Sequence, residues 1–251
     1  MFRRSLWVAA LLLVAAAGAR AVTVDELIAK NLKARGGLDR IRAVQSLRTS
    51  GKLFAGGGGF SIEIPYAQML KRPGMIRQEY SLQGLTSVSA YDGSVGWQVQ
   101  PFSGRLDPEK SSADDVKGLK LLADLDGPLV DYQAKGSKVE YLGTEDVDGT
   151  DAHKLKVTLK DGDILYIYLD PDYFLEIRET VQARMRGVEV EWEQDLGNYE
   201  QVNGLMLPFS IESGAKGQPK YSKITIEKVE INVPLDAKLF HFPAAPAAAN
   251  K

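Results

Sequence analysis

Apolar and polar residues alternate with a period of two along most of this chain. Phe60, Ile62, Ile64 and Tyr66 alternate with Ser61 and Glu63, while Val188, Val190 and Trp192 alternate with Glu189, Glu191 and Glu193. Leu155, Val157 and Leu159 repeat the pattern, as do Leu175, Ile177 and Val181. A strand sends successive side chains to opposite faces, so each run predicts a strand with one dry face and one wet face. Ile164 to Leu169 is apolar or aromatic throughout and predicts a strand covered on both sides. Turn signals are dense between the runs: Lys160-Asp161-Gly162-Asp163, Asp170-Pro171-Asp172 and Val202-Asn203-Gly204-Leu205. Such short connections join antiparallel neighbours. A meander of roughly ten to twelve strands is too large for a flat open sheet. The expected fold is therefore mainly β, an incomplete, half-open antiparallel β-barrel.

Two segments leave this period. Asp25 to Ala34 places Leu27, Ile28 and Leu32 on one side, with Thr23 as N-cap and Gly36-Gly37 as the stop, which predicts an N-terminal helix. Pro108 to Gln133 lacks alternation and carries Val116, Leu119, Leu122, Ala123 and Leu125 at helical spacing, before Gly127-Pro128 breaks the run ahead of Leu129, Val130 and Tyr132. One or two short helices are expected there. The pattern is compatible with a helix filling the barrel as ordinary core and with a movable lid over a cavity.

The ends set the compartment. Arg3 and Arg4, the apolar run Leu6 to Ala17 and Ala19-Arg20-Ala21 have the three parts of a secretory leader, so residues 1–21 are expected to be removed. The run is shorter than the roughly 20 residues a membrane-spanning helix needs. The chain has no cysteine, which leaves no disulfide, no thiolate metal site and no lipid-modified cysteine. A soluble periplasmic protein is the expectation. Without Arg3, Arg4 and Arg20, 28 basic residues face 33 acidic ones, a balance that argues against nucleic acid as a partner. Residues 22–243 are expected to form one domain, followed by a disordered Ala- and Pro-rich tail over 244–251.

A search for chemistry returns little. His153 and His241 lie far apart with no second ligand at metal spacing. No Gly-x-Ser-x-Gly elbow is present. Gly56 to Gly59 opens a strand and lacks the Lys-Ser/Thr of a phosphate loop, and Asp161 and Asp163 sit at a turn where Asp is favoured for backbone reasons. The reading is of a protein that is not an enzyme and holds no metal or cofactor.

Three segments carry a family likeness: Met69-Leu70-Lys71-Arg72-Pro73-Gly74, Tyr91-Asp92-Gly93 with Trp97, and the closing Pro234-Leu235-Asp236-Ala237-Lys238-Leu239-Phe240-His241-Phe242-Pro243. In order and approximate spacing they resemble LolA, the periplasmic carrier of outer-membrane lipoproteins, and the wider group of lipoprotein-sorting proteins, over most of residues 25 to 243. The resemblance implies an incomplete barrel covered by helices, with an apolar cavity for lipoprotein acyl chains and a lid at about 112–132. It implies that Arg72 contacts the lid and holds it shut when empty. Leu119, Leu122, Leu125, Leu129 and Tyr132 become candidates for the lid's inner face, and Trp97 for the cavity wall. The implied partners are an inner-membrane donor complex and an outer-membrane acceptor. The chain is longer than the best-known members, with added strands after the lid, and Val202 to Phe209 has no counterpart. A carrier of lipoproteins or related lipids is the first reading; a sensor of lipidated ligands and a structural envelope protein with a filled barrel are the alternatives.

Overall fold

The computed structural model describes residues 22–57 and 60–243. The expected leader and the expected disordered tail lie outside the described residues. Two helices open the chain, α1 (Val24–Ala34) and the six-residue α2 (Leu38–Ala43). Thr23 caps α1 in a reciprocal box with Glu26, each accepting the other's backbone N–H. The second helix follows directly on Gly36-Gly37, where the sequence signalled only a stop.

The strands are β1 (Ser46–Gly57), β2 (Phe60–Lys71), β3 (Met75–Leu82), β4 (Leu85–Tyr91), β5 (Gly96–Gln100) and β6 (Arg105–Lys110), then, after α3 (Ala113–Leu122), β7 (Lys138–Val147), β8 (Thr150–Thr158), β9 (Ile164–Leu169), β10 (Glu176–Met185), β11 (Val188–Val202), β12 (Leu205–Ala215) and β13 (Ser222–Ile231). Among the described residues these thirteen strands, slightly more than expected, form one antiparallel sheet in the order β6-β5-β4-β3-β2-β1-β13-β12-β11-β10-β9-β8-β7. Two meanders are thus joined through the β1–β13 ladder, and the sheet is not closed. Its two free edges, β6 and β7, are consecutive in the chain. The stretch between them, with α3 inside it, therefore links one edge of the opening to the other. The broken alternation at Pro108 does not yet mark this insert, because Pro108 lies within β6. Proline is tolerated there since an edge strand leaves one row of N–H positions unpaired.

The helices and the insert pack on one face of the open sheet, the concave face of the half-barrel. Leu155, Val157, Leu165, Ile167 and Leu169 pack with Leu27 and Ile28 of α1 in one cluster. Leu70, Ile76 and Tyr91 pack with Leu119 and Ala123 of the insert in a second. Ile41, Val44, Val130 and Leu205 form a third. Strand β9 is covered on both sides, as its sequence predicts: its odd-numbered positions face α1, while Tyr168 packs with Val147 and Ala152 on the other face. Lys154 lies over the rings of Tyr166 and Tyr168 there.

Val202 to Phe209, unplaced by resemblance, forms the β11–β12 turn and is the seat of the α1–α2 junction. Met206 donates its backbone N–H to Arg35 O at 3.1 Å. A Cβ on Gly36 would collide with Gly204 O, and Gly36 has φ of 116°, so both space and backbone call for glycine.

Candidate functional site

The site is the insert and what it lies on. Ser112 caps α3 in a box with Asp115, setting the helix's start at the end of β6. Val116 approaches β5 so closely that a Cβ on Gly96 would stand 2.6 Å from its Cγ2. Leu119, 6% exposed, lies on Leu70, Ile76 and Tyr91 with Ala123 beside it. On the opposite flank of α3, Lys117 reaches Asp163 in the β8–β9 turn at 2.8 Å, and Asp114 accepts the backbone N–H of Arg186 at the β10–β11 tip at 2.7 Å. The helix is a strap tied to both meanders.

After α3 the insert continues in turns whose apolar residues enter the other clusters. Leu125 packs against both the second and the third cluster. Leu129, 1% exposed, enters the α1 cluster, with Tyr132 at its border. Val130 meets Ile41, Val44 and Leu205. Leu122 differs from the other candidates in being 44% exposed. At helical spacing it falls on a different flank from Val116, Leu119 and Ala123, and the inward position is taken by Ala123.

Charges hold the turn segment down. Arg72 grips Asp126 with both terminal nitrogens, at 2.8 and 2.5 Å, and donates from Nε to Val44 O at 2.6 Å and from Nη2 to Ile41 O at 3.3 Å. The guanidinium thus joins the insert to α2 and the residues that end it. The insert supplies a carboxylate, whereas the carbonyls come from outside it. Arg72 is well suited to this because its planar fork matches a carboxylate and keeps further donors for carbonyls. Its hydrogen bonds hold the Asp126 carboxyl below the usual carboxylate range. Around this pair, Arg35 donates to Asp126 O at 3.1 Å, Lys135 bonds Asp124 at 2.5 Å and Gly127 O at 2.8 Å, and Arg42 meets Asp131 at 2.8 Å.

Arg35 also leads inward. Its Nε is 4.0 Å from Glu176 on β10, and Gln194 donates to the neighbouring Glu179 at 2.6 Å. Burial, with Glu176 adding its charge, pushes the Glu179 carboxyl up to about 7. A cleft of 40 Å³ lies against the insert, lined by Leu47, Leu125, Leu205 and Leu207 among others, and a more open one of 370 Å³ runs between Ala123, Asp124 and Lys135 of the insert and Pro73, Gly74 and Tyr91. Ligand pockets usually offer ~300–1,000 Å³.

Trp97 stands apart from the insert. It pairs with Ala90 across the ladder, while Gly96 and Tyr91 are the pair that faces α3, so Trp97 projects from the opposite, convex face. There its Nε1–H donates to Phe240 O at 2.7 Å and Arg77 lies over its ring. The closing segment covers it, and Trp97 is no part of a wall beneath the insert. The sequence pattern did not single out Asp126 or Arg35, and it placed Val130 in the insert without marking it as a site residue. The signal for Asp126 was an acid between two leucine-bearing stretches, within reach of an arginine that needed a partner.

No protein-family model and no curated protein matches the sequence. Solved structures do. A DUF1329 family protein from Desulfovibrio piger matches with a TM-score of 0.59 at 14% identity, covering 87% of this chain and 97% of the other. A LolA superfamily protein from Nitrosomonas europaea gives 0.58 at 13% identity over 88% and 98%. A putative outer membrane lipoprotein-sorting protein domain from Vibrio parahaemolyticus gives 0.56 at 11% identity over 83% and 92%. The fold is LolA-like.

Proposed function

We propose that this protein is a periplasmic carrier that shelters the acyl chains of lipoproteins, or of related lipids, on the concave face of its open sheet. In this reading residues 1–21 direct export, residues 22–243 act as one domain, and the segment at about 112–132 is the lid. The observation that carries it is the insert itself: a segment bridging the two free edges of an unclosed sheet, filling the space with its own leucines and pinned by Arg72–Asp126. Moving a chain of roughly 15 methylenes through water without shelter faces a barrier of about 12 kcal/mol, at about 0.8 kcal/mol each. Leu119, Leu125, Leu129 and Tyr132 occupy in the empty state the surfaces that acyl chains would take. Each cargo contact then replaces a lid contact, so net affinity stays low enough for release to an outer-membrane acceptor after loading by an inner-membrane donor.

Arg72 is the latch. Its loss leaves Asp126 part-buried without its partner and favours the open state. The test loads Arg72→Leu with a fluorescent acylated peptide and follows transfer to acceptor liposomes. The variant is expected to keep bound lipid and release it at least tenfold more slowly than the parent, a difference of about 1.4 kcal/mol in barrier. Transfer at the parental rate would remove the latch.

A further inference from the structure

Next to the apolar row under α3, the concave face carries a second row of different chemistry. Thr49 pairs with Gln68, Gln68 with Gln78, Gln78 with Ser89 and Ser89 with Gln98, so five consecutive strands present hydrogen-bonding side chains in register. Each lies two residues from Leu47, Leu70, Ile76, Tyr91 or Gly96 and so shares their face, about 7 Å along the strands. Tyr66 and Tyr80 follow one row further, with ring centroids 5.3 Å apart. Thr49 is 8% exposed, and its hydroxyl has no hydrogen-bond partner among the described residues. A buried polar atom left unpaired costs about 1–3 kcal/mol, so its retention on this face calls for an explanation.

The chemistry of the row is specific. Amides and hydroxyls donate to and accept from neutral groups, and the five residues include no cation. The residue that continues the row onto the edge strand is Glu109, an anion. Glu109 is met by Arg105 at 3.4 Å, so the nearest cation at this end of the row is already engaged by a carboxylate and is not free for a phosphate or carboxylate head. An ester carbonyl, which only accepts, would find donors from Gln68, Gln78, Ser89 and Thr49. The spacing fits as well: a linkage on this row leaves its acyl chain to run onto the Leu70–Ile76–Tyr91 row, where Leu119 now lies.

We propose that this row is the recognition site for the uncharged ester linkage of a glycerol-bound acyl chain. The inference rests on the carrier reading and narrows its ligand to neutral glyceryl esters. Such esters occur both in free glycerolipids and in diacylglyceryl groups attached to proteins.

The test titrates the full chain calorimetrically with three probes of equal chain length: monodecanoyl glycerol, decanoate and decyl phosphate. The ester is expected to bind about tenfold more tightly than decyl phosphate, the worth of one to two hydrogen bonds. Gln68→Leu/Gln78→Leu should reduce that ratio to about threefold or less while keeping chain binding, and Thr49→Val, which nearly preserves shape, should lower it by about two- to threefold. Equal binding of all three probes, or an undiminished ratio in the double variant, overturns the ester site and leaves the carrier reading standing. Failure of every probe to bind overturns both. A synthetic diacylglyceryl-cysteine peptide titrated beside dioctanoyl glycerol identifies the source. Tighter peptide binding points to protein-attached lipid and equal binding to free glycerolipid, and either result supports ester recognition.

Discussion

Strands β2 to β5 carry a cover on each face, and the two covers are held by different forces. On the convex side the closing segment lays Phe240, fully buried, against Met69 and Leu235. It is fastened by hydrogen bonds to backbone carbonyls: Trp97 to Phe240 O, Arg77 to Leu239 O and Lys71 to Leu235 O. His241 of this segment also acts by charge on Asp92, just after β4. On the concave side the insert is fastened to the rest of the fold by carboxylate–cation pairs at Asp126, Asp131 and Lys117. A part-buried ion pair can exchange its partner for water with modest net change, whereas a buried phenyl ring cannot. In the carrier reading proposed above, the convex cover stays and the concave one, though it also buries Leu129 and Val130, opens.

The largest expected effect is on the permanent cover. Phe240→Ala should lower the unfolding free energy by about 3–5 kcal/mol, read by urea denaturation, because the ring is fully enclosed. It should leave acyl-chain uptake by the undenatured protein unchanged. A loss of uptake equal to that in an insert variant would erase the distinction between the covers.

A smaller effect separates the faces by pH. Glu179 lies on the concave side with Glu176, Arg35, Gln194 and Tyr199 around it, and its carboxyl is pushed up to about 7 from 4.5. The fold therefore holds a proton that the unfolded chain has already released. Stability from this group is fully present below about pH 4.5 and is lost as pH rises to about 7, by roughly 2–3 kcal/mol. Glu179→Gln should flatten this dependence. An unchanged slope between pH 5 and 7.5 in that variant would show that the charge is relieved elsewhere.

The smallest effect is expected at Leu122. Since its side chain is 44% exposed, Leu122→Asp should change stability by less than about 0.5 kcal/mol and leave uptake near the parental level. A large loss would place this residue on the cargo side of the insert.

Period-two alternation made the sheet legible because one face of nearly every strand is wet, and the loss of alternation from Pro108 to Gln133 marked the insert while taking in the end of β6. The capping box at Thr23 and the helical spacing of Val116, Leu119 and Ala123 were equally local signals. What local pattern could not give was pairing across the chain. Asp126 reads as a turn residue until the fold brings it to Arg72, 54 positions away. Trp97 reads as a cavity residue until the register with Ala90 assigns its face. Alternation states that two faces exist without stating which is concave. The second helix escaped notice because six residues behind two glycines leave too short a period to detect.

In the carrier reading proposed above, the insert must leave the concave face for lipid to enter. With no cysteine in the chain, Gly96→Cys/Val116→Cys would tether α3 to β5 through a single disulfide, at a place where the two already touch. The oxidised variant is expected to fail to take up an acylated peptide, and reduction to restore parental uptake. Equal uptake in the oxidised and reduced forms, with the disulfide verified by mass, would contradict it.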